Sequence, residues 1–386
     1  MKLVLLLAAA CLAAACATAP PPAPPAPSLF NDALFAPPKE RIDAREIFAV
    51  DEAMRRYVHE EIGRELQKHG LQKGLFEALY TRNRLKLEYD AAMTRTAAQA
   101  FAARQGNCLS LVIMTAALAR ELGLEVRFQR VIADDMWSRS GELYFVSSHV
   151  NVVLAGSKSD PMRRVDERQL FTIDFLPPRP KAITRTRELT DENILSMFMN
   201  NRAAEALAAG RADDAYWWAR AAIEQDPKYL SALNTLGVVY KKKGAYKEAE
   251  RAFARLLERE PGNLHAMANL SIAYKDQGRF VEAKALEDRV RALQPQAPFY
   301  FFDRGLEAME QGEFAVARTL FLREVERDAY YHEFHFGVAV ASLWLGDVET
   351  ARKHLAIALE NSPTRSDRAI YAGKLAKLRK KDKEED

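Results

Sequence analysis

Three side chains in the middle of the chain have the types that nucleophilic catalysis needs: a thiol, an imidazole and a carboxylate. Cys108 follows Gly106 and Asn107, which break one predicted helix before another begins at the cysteine. The positive end of the helix dipole favours a thiolate at that position. His149 and Asp174 lie within predicted strands, which are costly places for polar groups that have no partner. In this chain order the three residues can form a nucleophilic triad.

Simpler interpretations exist for each of these residues. Free cysteines are commonly buried in cores, so Cys108 taken alone is a structural thiol. Asp160 and Asp166 are rival acids, but both lie in a polar, loop-like stretch. Gln105 and the Cys108 backbone N–H are candidate oxyanion donors, and Gln105 equally fits a solvent-facing loop. The combination of thiol, base and acid, rather than any one residue, carries the catalytic hypothesis.

The elements around the cysteine predict an α+β domain over residues 29–190. Apolar residues recur with a spacing near 3.6 over residues 44–62 and 87–104, which predicts helices. A helix buried on most sides follows the cysteine and ends at Gly123. The strands predicted after it cover residues 125–132, 143–154 and 170–175.

This arrangement resembles the transglutaminase-like superfamily, whose core is papain-like. The resemblance rests on GNC followed by a helix with ALARELGL, then HVNVV, then IDF, within about residues 90–178. It implies Cys108 as nucleophile, His149 as base and Asp174 as orienting acid. It also implies attack on an amide or peptide carbonyl, with hydrolysis favoured over acyl transfer. Thiol catalysis of this kind needs no metal and no cofactor.

A period of 34 residues fills the C-terminal half of the chain. Glycines recur at this period in five units, alanines follow five residues after each glycine, and prolines close four of the units. These residues are Gly210, Gly244, Gly278, Gly312 and Gly346; Ala215, Ala249, Ala283, Ala317 and Ala351; Pro227, Pro261, Pro295 and Pro363. Glycine permits the left-handed turn that ends a first helix, alanine allows a second helix to approach closely, and proline ends it. The pattern resembles tetratricopeptide repeats, which implies an all-α solenoid over residues 195–365.

Two of the units depart from this pattern. In the third unit Glu287 occupies the slot that Phe253 holds in the second, and the first unit is rich in alanine on both helices. The first and third units are therefore expected to pack less regularly. Residues 366–386 are predicted to form a capping helix over the last apolar face and then a charged, solvated tail.

A solenoid of this kind implies a concave face that binds a protein or peptide. Lys241 and Lys275 predict a basic end of this groove, in the second and third units. The aromatic residues predicted to line an apolar end, in the fourth and fifth units, are Phe299, Phe302, Phe336 and Trp344. The alternative is that some of these aromatic side chains pack between repeats.

The first 28 residues are predicted to be a targeting segment and a tether. Residues 3–16 are apolar, follow Lys2 and are too short to span a membrane permanently. Ending at Cys16, they resemble a bacterial lipoprotein signal over residues 1–16, with Cys11 as a second possible lipidation site. This resemblance implies an anchor on the periplasmic face of the outer membrane, whereas the alternative is a plain cleaved signal peptide. Residues 17–28 contain the stiff spacer APPPAPPAP.

Composition excludes several functional classes. With Lys+Arg 56 against Asp+Glu 53, the net charge of +3 provides no broad field for nucleic acid. Three cysteines cannot form a disulfide scaffold or a four-cysteine zinc site. The leading hypothesis is a membrane-anchored cysteine protease or amidase whose repeats recruit a protein partner or substrate. The alternative is a non-catalytic repeat scaffold for envelope protein assembly, and a third hypothesis is a peptidoglycan peptide amidase with the same chemistry.

Overall fold

The computed structural model of the chain describes residues 29–80, 87–90, 93–140, 143–157, 170–175, 185–296, 299–362 and 365–385. The predicted signal peptide with Cys11 and Cys16, and the tether, lie outside these residues. The rival acids Asp160 and Asp166 also lie outside them. Among the helices of the described part, none combines the length and apolar character that crossing a membrane requires.

Short helices open the N-terminal region. They are α1 (Ala44–Ile47), α2 (Glu52–Arg56, continued by a π-helical turn at Tyr57–Glu61), α3 (Gly63–His69), α4 (Leu71–Tyr80) and α5 (Ala97–Ala103). The long helix predicted from residue 44 is divided because the side chain of Asp51 accepts the Met54 N–H and starts a new helix. Likewise Thr96 and Gln99 form a capping box at the start of α5, so the helix predicted from residue 87 begins later.

A buried helix and an antiparallel sheet complete this region. Helix α6 (Cys108–Glu121) is buried from Leu109 to Ala119. The four-stranded sheet has the order β5-β4-β3-β6 and contains β3 (Leu124–Ser140), β4 (Leu143–Ser157), β5 (Phe171–Ile173) and β6 (Arg185–Leu189). A separate parallel pair contains β1 (Glu88–Tyr89) and β2 (Gln105–Gly106). The three predicted strands are present, and β3 extends well beyond its predicted end to pair with β4.

One face of the sheet forms the core with the helices. Phe128 of β3 lies opposite Val152 of β4, which in turn lies opposite Ile173 of β5, and all three are buried. The guanidinium of Arg120 in α6 lies 5.4 Å from the centre of the Phe128 ring. The N-terminal region is thus an α+β arrangement in which α6 packs on a four-stranded antiparallel sheet.

In the described residues after β6 there are eleven helices, and the first ten pair into the five units of the 34-residue period. They are α7 (Asp191–Ala208), α8 (Ala212–Gln225), α9 (Leu230–Lys242), α10 (Tyr246–Arg259), α11 (Leu264–Asp276), α12 (Phe280–Leu293), α13 (Tyr300–Glu310), α14 (Phe314–Arg327), α15 (His332–Trp344), α16 (Val348–Asn361) and α17 (Arg365–Glu385). The turn inside each unit has a glycine with positive φ, such as Gly244 at 76°. These helices form the predicted solenoid.

An aromatic ring packed on a glycine joins the two helices of a unit. The ring of Phe253 in α10 lies so close to Gly237 in α9 that a Cβ there would be 2.5 Å from it. In the third unit the corresponding pair is polar, because Ser271 Oγ donates a hydrogen bond to Glu287 Oε1 at 3.1 Å. Lys275 forms an ion pair with the same carboxylate. A charged side chain thus stands where the other units bury an apolar one.

The apolar core is divided after the third unit. One cluster of buried side chains ends at Leu270, and the next begins at Phe299. Within α12, which is described throughout, Ala283 is the one buried residue. The less regular packing predicted for the third unit is therefore observed. The same prediction for the first unit is wrong, because its α7 and α8 bury a large apolar and aromatic set, including Tyr216.

Both ends of the solenoid are covered by the chain itself. Helix α17 buries Tyr371 and Leu375 against the last unit and continues through the charged run to Glu385. At the other end an extended stretch, residues 29–40, lies against the first two units, where Phe35 stacks on Tyr216 with 3.9 Å between ring centres. We call residues 29–40 the N-terminal segment.

Candidate functional site

Cys108 is the first residue of α6, and its start is fixed by a polar network. The side chain of Asn107 accepts the Ser110 N–H at 2.9 Å and the Ser110 hydroxyl at 2.8 Å. Its amide group donates to Thr94 Oγ1 at 2.8 Å. Cys108 itself is half-buried and is not in a disulfide. The structure thus confirms that the Cys108 thiol lies at the N-terminus of a buried helix.

The predicted base and acid lie on neighbouring strands. His149 is in β4, where its Cα lies opposite Val131 of β3, and its side chain is outside the described residues. Asp174 follows the end of β5 and is exposed, whereas Ile173 beside it is buried in the core. Because Asp174 is exposed where Ile173 is buried, its side chain does not join the apolar core beneath the sheet. The carboxylate is therefore not desolvated in the strand, contrary to the cost expected from the sequence.

The other polar residues near the cysteine differ in burial. Gln105, the predicted oxyanion donor, is half-buried in β2, with its Cα opposite Glu88 of β1. Asn151, two residues after His149, is buried, and its amide oxygen has no hydrogen-bond partner in the described part of the chain. No group of three or more His, Cys, Asp or Glu side chains among the described residues could hold a metal ion.

Two of the predicted groove residues belong to the core instead. Phe299 is 2% exposed and Phe302 7% exposed, and their rings pack edge to face with 6.4 Å between centres. The prediction that these two rings line a partner-binding surface is therefore wrong. The alternative, that they pack between repeats, is observed for this pair. Phe299 adopts φ 63° at the start of α13, an irregularity that the period does not reveal.

The remaining groove candidates keep some exposure. Trp344 is 65% exposed and stacks on Phe314, with 5.1 Å between ring centres. Phe336 is half-buried and packs against Tyr371 of the last helix. Lys241 is half-buried, and Lys275 is exposed but paired with Glu287. The predicted basic end is therefore partly neutralised by an acidic neighbour, whereas the apolar end retains an open indole ring.

Exposed apolar side chains concentrate in the last three units. Most of the exposed large apolar residues of the described chain lie between α11 and α17: Ile272, Phe280, Val281, Leu293, Tyr300, Leu306, Val316, Leu322, Trp344, Leu345 and Ile370. Phe280 and Val281 are 68% and 82% exposed. The first two units carry the N-terminal segment instead. Sequence reasoning missed this difference, although the Glu287 substitution marks the unit where it begins.

A pair of histidines joins the two helices of the fifth unit. The ring nitrogen His335 Nε2 bonds to the Ala329 carbonyl oxygen at 2.9 Å, so it must carry the proton. His335 Nδ1 then accepts a hydrogen bond from His354 Nδ1, 2.9 Å away. Burial lowers the pKa of His335. Burial, followed by unfavourable electrostatics with the neighbouring His335 ring, lowers the pKa of His354 to about 4. Both rings are consequently neutral at pH 7.

We expect the fifth unit to lose stability as the pH falls below about 6.5, the ordinary histidine value. In the unfolded chain His354 takes up a proton there, whereas in the folded chain it does so only near pH 4. The unfolded state binds more protons in this window, so stability falls with pH. Because His354 is partly exposed, the expected loss between pH 7 and pH 5 is about 1 kcal/mol. Besides burial, the charge of Asp328 acts to raise the pKa of His335, and the charge of Lys353 acts to lower the pKa of His354.

Hydrogen exchange of α15 and α16 at pH 7 and pH 5, corrected for intrinsic rates, measures this loss. The variant His354→Gln should show a smaller difference between the two pH values than the wild type. An unchanged difference in that variant would assign the pH dependence to other groups.

Known proteins show the same repeats. The tetratricopeptide repeat family matches residues 242–300 and again residues 302–366. A thermophilic repeat protein of Thermus thermophilus is 23% identical, with 47% of this chain and 99% of that chain covered and a TM-score of 0.29. A repeat protein from Parabacteroides merdae is 17% identical, covering 47% of this chain and 75% of that one, with a TM-score of 0.25. No curated protein sequence matches this chain. Residues 242–366 therefore match the tetratricopeptide repeat family, and the helix pairs before them continue the same 34-residue period.

Proposed function

We propose that the protein is a tetratricopeptide-repeat scaffold that binds a protein partner through its last three units. The observation that carries the proposal is the unequal distribution of exposed apolar side chains, which are concentrated from α11 onwards. Contiguous exposed apolar groups mark interaction surfaces, and here Phe280 adjoins Val281 and Trp344 adjoins Leu345. Trp344, which stacks on Phe314, has the type and exposure of an interface anchor. Assembly of envelope proteins is the role that the predicted lipid anchor would give to such a scaffold.

A photo-crosslinking amino acid placed in the full chain tests this proposal. Benzoylphenylalanine at position 280 or position 344 should give discrete crosslinked products in the native host. The matched control is position 71, where Leu71 is also exposed but lies in the N-terminal region, on α4. Products that appear equally at all three positions, or at none of them, contradict binding through the last three units.

A thiol-dependent enzyme of the transglutaminase-like type is the second candidate function. It is favoured by the half-buried thiol of Cys108 at the capped start of a buried helix. In this candidate His149 is the base, Asp174 orients it, and the Cys108 N–H with Gln105 stabilises the oxyanion. Asp174 is exposed just beyond the end of β5, and a working triad would require its carboxylate to contact the His149 ring. Attack on an amide would release an amine and leave a thioester, which water would then hydrolyse.

Alkylation kinetics distinguish this candidate from the scaffold. The rate at which iodoacetamide modifies Cys108 is followed from pH 5 to pH 9 in the wild type, in His149→Ala and in His149→Gln, with Cys108→Ala as the blank. Fast modification that persists below pH 7 and is slowed by both histidine variants supports the enzyme. A rate no faster than that of an unfolded peptide thiol, and insensitive to His149, excludes it.

A further inference from the structure

The repeats hold the N-terminal segment by its backbone, as peptide-binding proteins hold their ligands. The Tyr240 hydroxyl accepts the Asn31 N–H and donates to the Leu29 carbonyl oxygen, both at 2.9 Å. Trp217 Nε1 donates to the Ala36 carbonyl oxygen at 2.7 Å. These donors and acceptors belong to the first and second units, about two hundred residues further along the chain.

An aromatic anchor fills the centre of this contact. Phe35 is 7% exposed, and its ring lies parallel to that of Tyr216, with an interplanar angle of 5°. The Tyr240 ring lies 5.7 Å from it on a second side. Lys243 Nζ lies 5.4 Å from the centre of the Phe35 ring. Stacking and cation–π contacts of this kind select an aromatic side chain over an aliphatic one.

An acidic side chain makes the second anchor. Asp32 accepts a hydrogen bond from the Tyr216 hydroxyl at 2.6 Å and forms an ion pair with Arg220. Burial, and then this hydrogen bond, raise the pKa of Tyr216 well above its ordinary value, so its hydroxyl stays a donor. Residues 32–34 form a single turn of 3₁₀ helix. Asp32 and Phe35 both contact Tyr216, so the two anchors lie on the same side of the segment.

The site is specific to the first two units. One period further on, Tyr274 replaces Tyr240 and Glu250 replaces Tyr216. There the guanidinium of Arg279 lies 4.0 Å from the centre of the Tyr274 ring and pairs with Glu250. Between the second and third units, the solenoid's own Arg279 thus covers the Tyr274 ring. Between the first and second units, the corresponding Tyr240 ring is instead covered by the N-terminal segment.

We propose that the first two repeats form a recognition site for an extended peptide with an aspartate three residues before a phenylalanine, and that the N-terminal segment is its exchangeable ligand in cis. The segment contributes one short turn of its own and no strand or long helix. Leu34, between the two anchors, is 36% exposed, whereas Phe35 is 7% exposed. This site is separate from the surface proposed for partner binding and does not depend on it.

Peptide binding to the full chain tests the proposal. The probe is a fluorescein-labelled peptide with the sequence of residues 28–40, SLFNDALFAPPKE. Fluorescence anisotropy should show that it binds the variant Asp32→Ala/Phe35→Ala, whose own anchors are missing, at least ten times more tightly than the wild type. Probe peptides that carry Asp32→Asn or Phe35→Ala should each bind this variant at least ten times more weakly. The chain variant Leu34→Ala, which keeps both anchors, should bind no better than the wild type.

A second design protects the test from a variant that does not fold. A protease site is inserted between Glu40 and the exposed Arg41 of the otherwise unchanged chain, and the protein is cleaved after folding. An exchangeable segment then leaves on gel filtration, and the labelled peptide takes its place. The proposal is overturned if the cleaved segment remains bound through prolonged incubation with excess probe. It is equally overturned if a folded double variant binds the three probe peptides alike.

Discussion

Replacing Phe321 by alanine should lower the free energy of unfolding of the last three units by about 3–5 kcal/mol. The Phe321 ring is 1% exposed and lies between two glycines, Gly305 of α13 and Gly337 of α15. A Cβ built on either glycine would lie within 2.9 Å of the ring, so both helix backbones rest on it. Neither glycine can extend a side chain into the space that alanine would leave. The cavity therefore persists, and the loss is expected to have the full size of such substitutions.

Phe280→Ala is the matched control, since it removes the same side chain from the start of α12. Phe280 is 68% exposed, so its loss should change stability by no more than about 0.5 kcal/mol. A chain with several cooperative parts does not unfold in two states, so a local measurement is needed. Hydrogen exchange of α13, α14 and α15 provides one, and equal changes in the two variants would refute the role assigned to Phe321.

The period of the repeats could be predicted because each of its residues answers a local requirement. A glycine with positive φ ends the first helix at Gly244 and at every equivalent position. Ala249 is fully buried where the two helices of a unit touch, as its small size predicts. Requirements of this kind recur at a fixed spacing, and so they can be read without knowledge of distant contacts.

A periodic sequence pattern does not predict contacts between segments that are distant in the chain. Nothing in the spacing of Phe35 relates it to Tyr216 or Tyr240, yet these rings pack together. The groove prediction failed for a similar reason, because the rings of Phe299 and Phe302 belong to the core cluster that they form with Phe321 and Phe334. Which face of a repeat helix is free depends on what covers it, and that is decided elsewhere in the chain.

The candidate site shows the same limit at closer range. The glycine and asparagine before Cys108 correctly predicted the start of α6, because helix capping is local. The exposure of Asp174 could not be predicted, because it depends on β5 ending at Ile173 and on the side of the sheet that α6 covers. An apolar stretch of sequence indicates a strand, but it does not indicate at which residue the pairing with the neighbouring strand ends.

Replacing Asn107 by alanine should destabilise α6 by about 2–4 kcal/mol. Loss of a helix cap costs about 1 kcal/mol, and each buried partner left without its hydrogen bond costs about 1–3 kcal/mol more. Asn107 is buried and bonds to Ser110 on one side and Thr94 on the other. The backbone N–H of Thr94 in turn donates to Glu205 in the first repeat unit, at 2.7 Å. The network therefore joins the helix that begins at Cys108 to the solenoid.

Aspartate at the same position is the control, because its carboxylate accepts the Ser110 N–H as well as asparagine does. In Asn107→Asp the Thr94 hydroxyl can rotate and donate to the carboxylate, so we expect less than half of the alanine cost. Hydrogen exchange of α6 and α7 measures both variants. If Thr94 transmits the effect, exchange in α7 should rise together with exchange in α6 after Asn107→Ala. Loss of protection in α6 alone would mean that the capped helix and the first repeat are stabilised independently.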